Sequence, residues 1–263
     1  MSTPSGPALA ADCSQCFGLC CVLLPFSAAS GFGADKASGD PCHHLRGDDR
    51  CEIHAELRER GWPGCATFDC FGAGQQVSQV TYGGVSWREH DDLGEMAAVL
   101  SVVRQLHEML FHLAEVEQRT PDAEAARIRG ELVGLTGATP VELLGLDVDE
   151  LREQVGEVLR SASRRLRSGT TARDLGRADL AGRDLRGEEL AGADLRGAVL
   201  IGADLRGVRL GPADLLGADL RDTALHGTDL EQVVFLTQPQ VNAGRGDGST
   251  ALPRRLTRPA HYL

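Results

Sequence analysis

Leucine recurs at every fifth position through the C-terminal part of the chain, and this spacing limits the possible folds more than any other feature. The series runs without a slip from residue 175 to residue 230, and a phenylalanine at 235 completes it. Its members are Leu175, Leu180, Leu185, Leu190, Leu195, Leu200, Leu205, Leu210, Leu215, Leu220, Leu225, Leu230 and Phe235. A period of five fits neither an α-helix nor a β-strand. Such strict repetition indicates that one short unit is stacked many times.

Small residues accompany these leucines. An alanine stands two positions before many of them, at Ala178, Ala193, Ala198, Ala203, Ala213 and Ala218. A glycine often stands one position earlier still, at Gly182, Gly187, Gly192, Gly197, Gly202, Gly207, Gly217 and Gly227. The segment Gly202-Ala203-Asp204-Leu205-Arg206 shows the whole pattern. Residues 171–235, which we call the repeat region, therefore resemble the pentapeptide-repeat family, whose signature is Ala-Asp-Leu-x-Gly.

That resemblance implies a right-handed quadrilateral β-solenoid with four pentapeptides in each turn. The leucine and the preceding small residue would point inward. Arg183 and Glu188 occupy two of the small positions, so we expect the first turn to be distorted. Residues 236–263 have no period, and we expect them to cap the open end, because exposed ends of stacked repeats aggregate.

All eight cysteines lie within residues 13–75, which we call the cysteine segment. They are Cys13, Cys16, Cys20, Cys21, Cys42, Cys51, Cys65 and Cys70. No export signal is visible, because the first basic residue is Lys36 and the early apolar run at residues 20–26 is short and contains Pro25. We therefore expect a cytoplasmic protein without a membrane partner. In a reducing compartment clustered thiols favour metal ligation, with disulfide or redox-switch pairing as the alternative.

The order of the cysteines carries a second resemblance. The features are Cys-x2-Cys-x3-Cys-Cys, a later cysteine followed by leucine three residues on, the run Arg50-Cys51-Glu52-Ile53-His54, and two further cysteines. Together they resemble the YkgJ-like cysteine-cluster family. The resemblance covers roughly residues 13–75 and implies a zinc- or iron-chelating module, with an iron–sulfur cluster in some members.

The donor type points to the same metals. Thiolates are soft donors that select zinc, iron–sulfur clusters or Cu(I), so all eight cysteines are candidate ligands. Eight donors would suit one four-thiolate cluster with four cysteines left over, two separate sites, or a polynuclear site with bridging sulfur. His54 has the reach of a ligand, although a supporting or solvated role is favoured for it. His43 and His44 have a loop role or a metal role.

The stretch between these two regions has the period of helices. Apolar residues recur every three or four positions from Asp91 onward, a second helix follows Pro121, and a third runs to Ser168-Gly169. Thr139 and Glu142 form the pattern of a capping box. A short strand pair around residues 83–84 and a short helix over residues 53–60 are also predicted. His107 and His112 lie on the first of these helices and are interpreted as core or boundary residues.

These observations predict a multidomain α+β chain with five parts. A flexible lead (residues 1–12) precedes a Cys-rich metal or cluster module (13–85). A helical region (86–170), the pentapeptide-repeat β-solenoid (171–235) and a C-terminal cap or tail (236–263) follow it.

Charge limits the possible partners. The chain carries a formal net charge of −11, which disfavours direct nucleic-acid binding. The repeat region holds twelve acidic residues and eight arginines. The leading hypothesis is a metal- or iron–sulfur-binding protein whose repeats act as a scaffold or interaction surface. The alternatives are a metal-dependent redox, methyl-transfer or peptide-modifying enzyme, and a DNA mimic that binds DNA gyrase. A protein partner or peptide substrate is expected, and the sequence leaves catalysis open.

Overall fold

The chain divides into two compact units, Met1–Leu159 and Arg160–Leu263. The structure is a computed structural model that describes residues 6–170 and 173–262. Residues 1–5 of the predicted flexible lead (1–12) and the predicted boundary at residue 171 lie outside the described residues. The five-part division made from the sequence is finer than these two units and stays a prediction. Within the described part of the chain, no helix is both long and apolar enough to cross a bilayer.

Helices account for the regular secondary structure of the described residues. The described α-helices are α1 (Leu19–Leu23), α2 (Pro63–Ala66), α3 (Ala73–Gln75), α4 (Leu93–Arg119), α5 (Ala123–Leu135), α6 (Pro140–Leu144), α7 (Val148–Leu166) and α8 (Gln238–Ala243). Short 3-10 helices lie at Ala28–Ser30 and His54–Glu56, and a π-helix spans Gln76–Thr81. The predicted helix over residues 53–60 is therefore wrong, because a 3-10 helix and turns take its place. The predicted strand pair around residues 83–84 is also wrong, because the π-helix and a turn occupy that stretch.

The helical middle region is confirmed, and α4 is its central element. Asp92 caps α4 by accepting a hydrogen bond of 2.9 Å from the backbone N–H of Glu95. Leu100, Leu106 and Leu110 form part of its buried face. The helix packs against α1, α3, α5 and α6. It therefore supports α1 and α3, two short helices that lie near the two ends of the cysteine segment.

The two helices after α4 begin where the sequence predicts. Asp122 caps α5 by accepting a hydrogen bond of 2.9 Å from the N–H of Ala125. The predicted capping box at α6 is confirmed, since the N–H of Thr139 donates to Glu142 at 2.8 Å and Thr139 Oγ1 accepts from the N–H of Glu142 at 3.4 Å.

The repeat region buries most of its leucines, but its described residues, 173–235, do not form strands. Single residues pair in parallel with the residue twenty positions later, as Asp194 does with Asp214 and Asp204 with Ala224. These pairs are isolated bridges, and the described residues of the chain contain no β-strand and no sheet. The predicted α+β class with a right-handed quadrilateral β-solenoid is therefore wrong for this structure.

A turn in every repeat explains why strands are absent there. Most of the five-residue units contribute one bridged residue and then turn, so neighbouring residues do not pair in succession. The turns place glycine in the left-handed region, at φ 65° for Gly202 and 72° for Gly207, where glycine carries no steric cost. Hydrogen bonds still link residues about twenty apart, such as the one of 2.9 Å from the N–H of Leu205 to the carbonyl of Ala224.

The interior of the second unit is a continuous apolar cluster. Its fully buried members include Leu195, Leu200, Leu205, Leu210 and Leu215, together with the small residues Ala193, Ala198, Ala203 and Ala213. Threonine takes a small position at residues 223 and 228. There Thr228 Oγ1 donates to the carbonyl of Leu205 at 2.8 Å, which satisfies the buried hydroxyl. Val241 in α8 and Tyr262 join the same cluster.

Candidate metal centre

The eight cysteines come from several short pieces of backbone. Cys13 and Cys16 lie in the turns before α1, and Cys20 and Cys21 lie in α1. The other four follow in a loop, in α2 and in the turn before α3: Cys42, Cys51, Cys65 and Cys70. All eight are free thiols. Their positions therefore depend on the contacts that join these pieces.

Backbone hydrogen bonds bring the middle cysteines back toward α1. The N–H of Cys42 donates to the carbonyl of Cys21 at 2.9 Å. Leu45 then forms an antiparallel bridge with Cys51. Gly18, which caps α1 with φ 68°, permits this close approach, because a Cβ there would lie 2.6 Å from Leu45 Cδ1.

All eight cysteines line one cavity of about 350 Å³, which we call the thiol cavity. The apolar part of its wall comes from Leu24, Phe26, Phe32, Leu57, Trp62 and Phe68. The rings of Phe26 and Phe32 stack at a centroid distance of 4.5 Å, and Trp62 meets Phe26 edge-on at 5.9 Å. The cavity thus combines soft sulfur donors with an apolar, largely aromatic wall.

Burial keeps most of these thiols protonated. It raises the pKa of Cys13 to about 11, and the pKa values of Cys16 and Cys65 to about 12. It also raises the pKa values of Cys51 and Cys70. A hydrogen bond with Cys21 and burial together raise the pKa of Cys20. A thiolate in this cavity therefore requires a compensating positive charge.

The sulfur donors fit a thiophilic metal in type, but they lie too far apart to coordinate one together. Cys20 Sγ and Cys21 Sγ lie 4.0 Å apart. Among the described residues, no group of three or more cysteine, histidine or acidic side chains is close enough to hold a metal ion. The structure thus gathers the predicted ligands around one space without joining them at coordination distance.

Four histidines of the first unit fall into two groups, one at the thiol cavity and one buried in α4. His44 and His54 line the thiol cavity. His44 Nδ1 lies 2.6 Å from Glu52 Oε1, which leaves its Nε2 as the ring nitrogen available to a ligand. Sequence reasoning missed this pair. The only signal was the presence of Glu52 beside Cys51, which does not reveal that residue 44 folds back onto it.

The two histidines of α4 are buried, as the sequence predicts: His107 is fully buried and His112 is 5% exposed. His107 donates from Nδ1 to the carbonyl of Phe71 at 2.7 Å, and burial lowers its pKa. This hydrogen bond fixes the backbone next to Cys70 on α4. His107 is therefore a support of the cysteine segment.

Comparison with known proteins identifies the repeats and a relative of the whole chain. A family model described as pentapeptide repeats matches eight copies over residues 174–211. That match lies outside the cysteine segment and says nothing about it. The Bacillus subtilis (strain 168) protein called uncharacterized protein YybG is 50% identical over 97% of this chain and 95% of its own length.

Solved pentapeptide-repeat proteins match part of the chain. Rfr23 from the cyanobacterium Cyanothece 51142 is 31% identical, over 30% of this chain and 63% of its own, with a TM-score of 0.22. The protein alr5209 from Nostoc PCC 7120 is 30% identical, over 36% of this chain and 84% of its own, with a TM-score of 0.18. The repeats and the 50% identity along nearly both full lengths show that the chain is a pentapeptide-repeat protein of the same family as YybG.

Proposed function

We propose that the thiol cavity binds a thiolate-ligated metal centre, either zinc or an iron–sulfur cluster, and that the repeat region acts as a scaffold or interaction surface. One observation carries the metal proposal: all eight cysteines of the chain, drawn from separate pieces of backbone, line the same cavity. Thiolates select these metals over magnesium or calcium. The resemblance of residues 13–75 to the YkgJ-like family supports the same choice.

Metal binding would draw the cysteine pieces closer together. Between α1 and α2 the described backbone consists of turns, short bridges and two 3-10 helices. Such backbone adjusts at lower cost than a long packed helix, since few regular hydrogen bonds hold it. The metal would then supply folding energy to a segment with little secondary structure of its own.

The surface of the repeat region favours a protein partner over DNA mimicry. Several outward aspartates pair with the arginine two residues later, as Asp184 does with Arg186 at 2.7 Å and Asp204 with Arg206 at 2.6 Å. Asp219 and Arg221 repeat the arrangement at 2.6 Å. A DNA mimic requires a row of unpaired negative charges, whereas these pairs neutralise one another locally.

Metal analysis of protein purified without oxygen tests the proposal. Stoichiometric iron with a visible absorption band that reductant bleaches would support a cluster, and stoichiometric zinc in a colourless sample would support a zinc site. Cys16→Ser and Cys20→Ser should each lower the metal content. Ser14→Ala is the matched control, because Ser14 lines the same cavity without a sulfur. Protein without metal, or unchanged loading in both cysteine variants, would contradict the proposal.

A metal-dependent enzyme is the second candidate, and the contact between His44 and Glu52 favours it. A carboxylate-paired histidine at the wall of a metal cavity can accept or donate a proton. A catalytic metal keeps one coordination position open, whereas a structural one is closed. Azide should therefore change the visible spectrum of the cobalt-substituted protein if the centre is catalytic. An unchanged spectrum would favour a closed, structural site.

A further inference from the structure

We propose that the eight cysteines form two adjacent four-thiolate metal sites. The first set consists of Cys13, Cys16, Cys20 and Cys70. The second set consists of Cys21, Cys42, Cys51 and Cys65. This inference rests on the proposed metal binding and adds to it the number of sites and the membership of each.

A small cavity that adjoins the thiol cavity and shares four of its cysteines defines the first set. Its volume is about 30 Å³, and its lining contains four cysteines: Cys13, Cys16, Cys20 and Cys70. That volume leaves room for a single ion among the four sulfurs. Leu100 of α4 and Gly74 of α3 complete part of the wall.

Gly74 keeps the space between two of these sulfurs clear. A Cβ at this position would lie 2.9 Å from Cys16 Sγ and 3.7 Å from Cys70 Sγ. The two sulfurs, which are far apart in sequence, therefore approach the same point in space. Cys16 Sγ also accepts a hydrogen bond of 3.4 Å from the N–H of Leu19, which ties this cysteine to the start of α1.

The second set is joined by the backbone and by an aromatic cluster. The N–H of Cys42 donates to the carbonyl of Cys21, and the bridge between Leu45 and Cys51 brings the next cysteine alongside. Cys42 is buried in an apolar cluster with Phe26, Ile53 and Trp62. The other three members pack against that cluster: Cys21, Cys51 and Cys65.

The adjacent residues Cys20 and Cys21 are the point where the sets divide. Successive residues of a helix project about 100° apart, so neighbours in α1 face different directions. Their sulfurs nevertheless lie 4.0 Å apart. The two sites would therefore be direct neighbours, with one sulfur of each only 4.0 Å apart. A single polynuclear site that includes both sulfurs is the competing arrangement.

Cadmium binding to the full-length chain tests the division. The chain is stripped of metal under reducing, oxygen-free conditions and titrated with Cd²⁺, a thiophilic probe. Two four-thiolate sites predict two tightly bound ions per chain by native mass spectrometry. They also predict two cadmium NMR resonances, each in the region typical of four sulfur ligands. Both measurements use the unaltered sequence, so neither depends on a variant that folds.

Variants then assign the members. Cys70→Ser should perturb one resonance and Cys51→Ser the other, while Ser14→Ala leaves both in place. One cadmium ion per chain would overturn the inference and leave metal binding intact. Perturbation of both resonances by each single cysteine substitution would also overturn it, in favour of a polynuclear site. Absence of any bound cadmium would contradict the proposed function itself, which distinguishes the two failures.

Discussion

The repeat region and the cysteine segment bury their side chains in different ways. In the repeat region, leucines such as Leu200 and Leu205 are fully buried within one continuous apolar cluster. The cysteine segment surrounds a cavity of about 350 Å³ and has little regular secondary structure. Close packing stabilises a filled interior, whereas the cysteine segment would gain folding energy from the metal that we propose for its cavity. The two regions should therefore respond to different perturbations.

Removal of metal should give the largest difference between the regions. A structural zinc contributes on the order of 10 kcal/mol to the folding of a small metal module. We expect chelation to abolish hydrogen-exchange protection in residues 13–75 and to leave the buried repeats protected. Trp62 and Trp87, the two tryptophans of the chain, both lie in the first unit, so their fluorescence reports on that unit. Equal protection of residues 13–75 with and without metal would show that the aromatic cluster alone holds the segment.

Truncation of a repeat leucine should have the next largest effect and the opposite distribution. Leu205→Ala removes a fully buried side chain and should lower the free energy of unfolding of the second unit by about 3 kcal/mol. Leu216→Ala is the control, because Leu216 is only partly buried and should cost less than about 1 kcal/mol. Urea unfolding followed by hydrogen exchange measures both. Similar losses in the free energy of unfolding for Leu205→Ala and Leu216→Ala would contradict this prediction. A loss of metal from Leu205→Ala would contradict it too, because the two regions would then not respond separately.

These two regions also differ in how far their sequences specify them. The five-residue period predicts which side chains are buried, because inward positions recur at fixed places in each unit. Leu205 and Ala203 are buried as the pattern requires. The period does not predict whether the bridged residues extend into strands. That depends on the turn geometry, and a turn such as the one at Gly202 interrupts each repeat before a second residue can pair.

In the cysteine segment the residue types predict the class of chemistry but not the arrangement. Clustered thiols indicate a soft metal from composition alone. Their neighbours depend on contacts between distant residues, such as the hydrogen bond from Cys42 to Cys21 and the close approach of Cys16 and Cys70 at Gly74. The pair between His44 and Glu52 arises in the same way. No local period encodes these loop closures, so sequence reasoning leaves the number of sites open.

A smaller effect is expected from the hydroxyl of Thr228. The carbonyl of Leu205 accepts hydrogen bonds from Thr228 Oγ1 at 2.8 Å and from the N–H of Val208 at 3.0 Å. Thr228→Val keeps the shape and removes the first of these, so we expect a loss of about 1 kcal/mol in the second unit. Thr257→Val, at an exposed position, should change the free energy of unfolding by less than about 0.5 kcal/mol. A neutral or stabilising Thr228→Val would mean that apolar packing alone sets the stability of the interior.

The smallest effect concerns pH and separates the surface of the repeat region from its interior. The hydrogen bond from Arg206 lowers the pKa of Asp204 to about 2, whereas burial raises the pKa of Asp214 despite the 2.5 Å hydrogen bond from Ser163. Asp204 therefore stabilises the fold above its ordinary pKa, and this contribution is lost as the pH falls toward 2. Asp214 acts in the opposite sense, because its native form binds the proton more tightly. Its contribution is present at low pH and lost as the pH rises through the raised pKa.

Carboxyl NMR of the full chain should therefore show Asp204 titrating below, and Asp214 above, the ordinary range of aspartate. Asp214→Asn should remove the loss of stability that accompanies rising pH, and Asp204→Asn should remove the loss that accompanies falling pH. If both aspartates titrated on the same side of the ordinary range, the buried and exposed faces would share one electrostatic environment. Asp204 and Asp214 occupy the same position in their repeats. Opposite pKa shifts would therefore mean that this position tolerates either an exposed ion pair or a buried carboxyl group, and that the buried carboxyl group needs a hydrogen-bond donor such as Ser163.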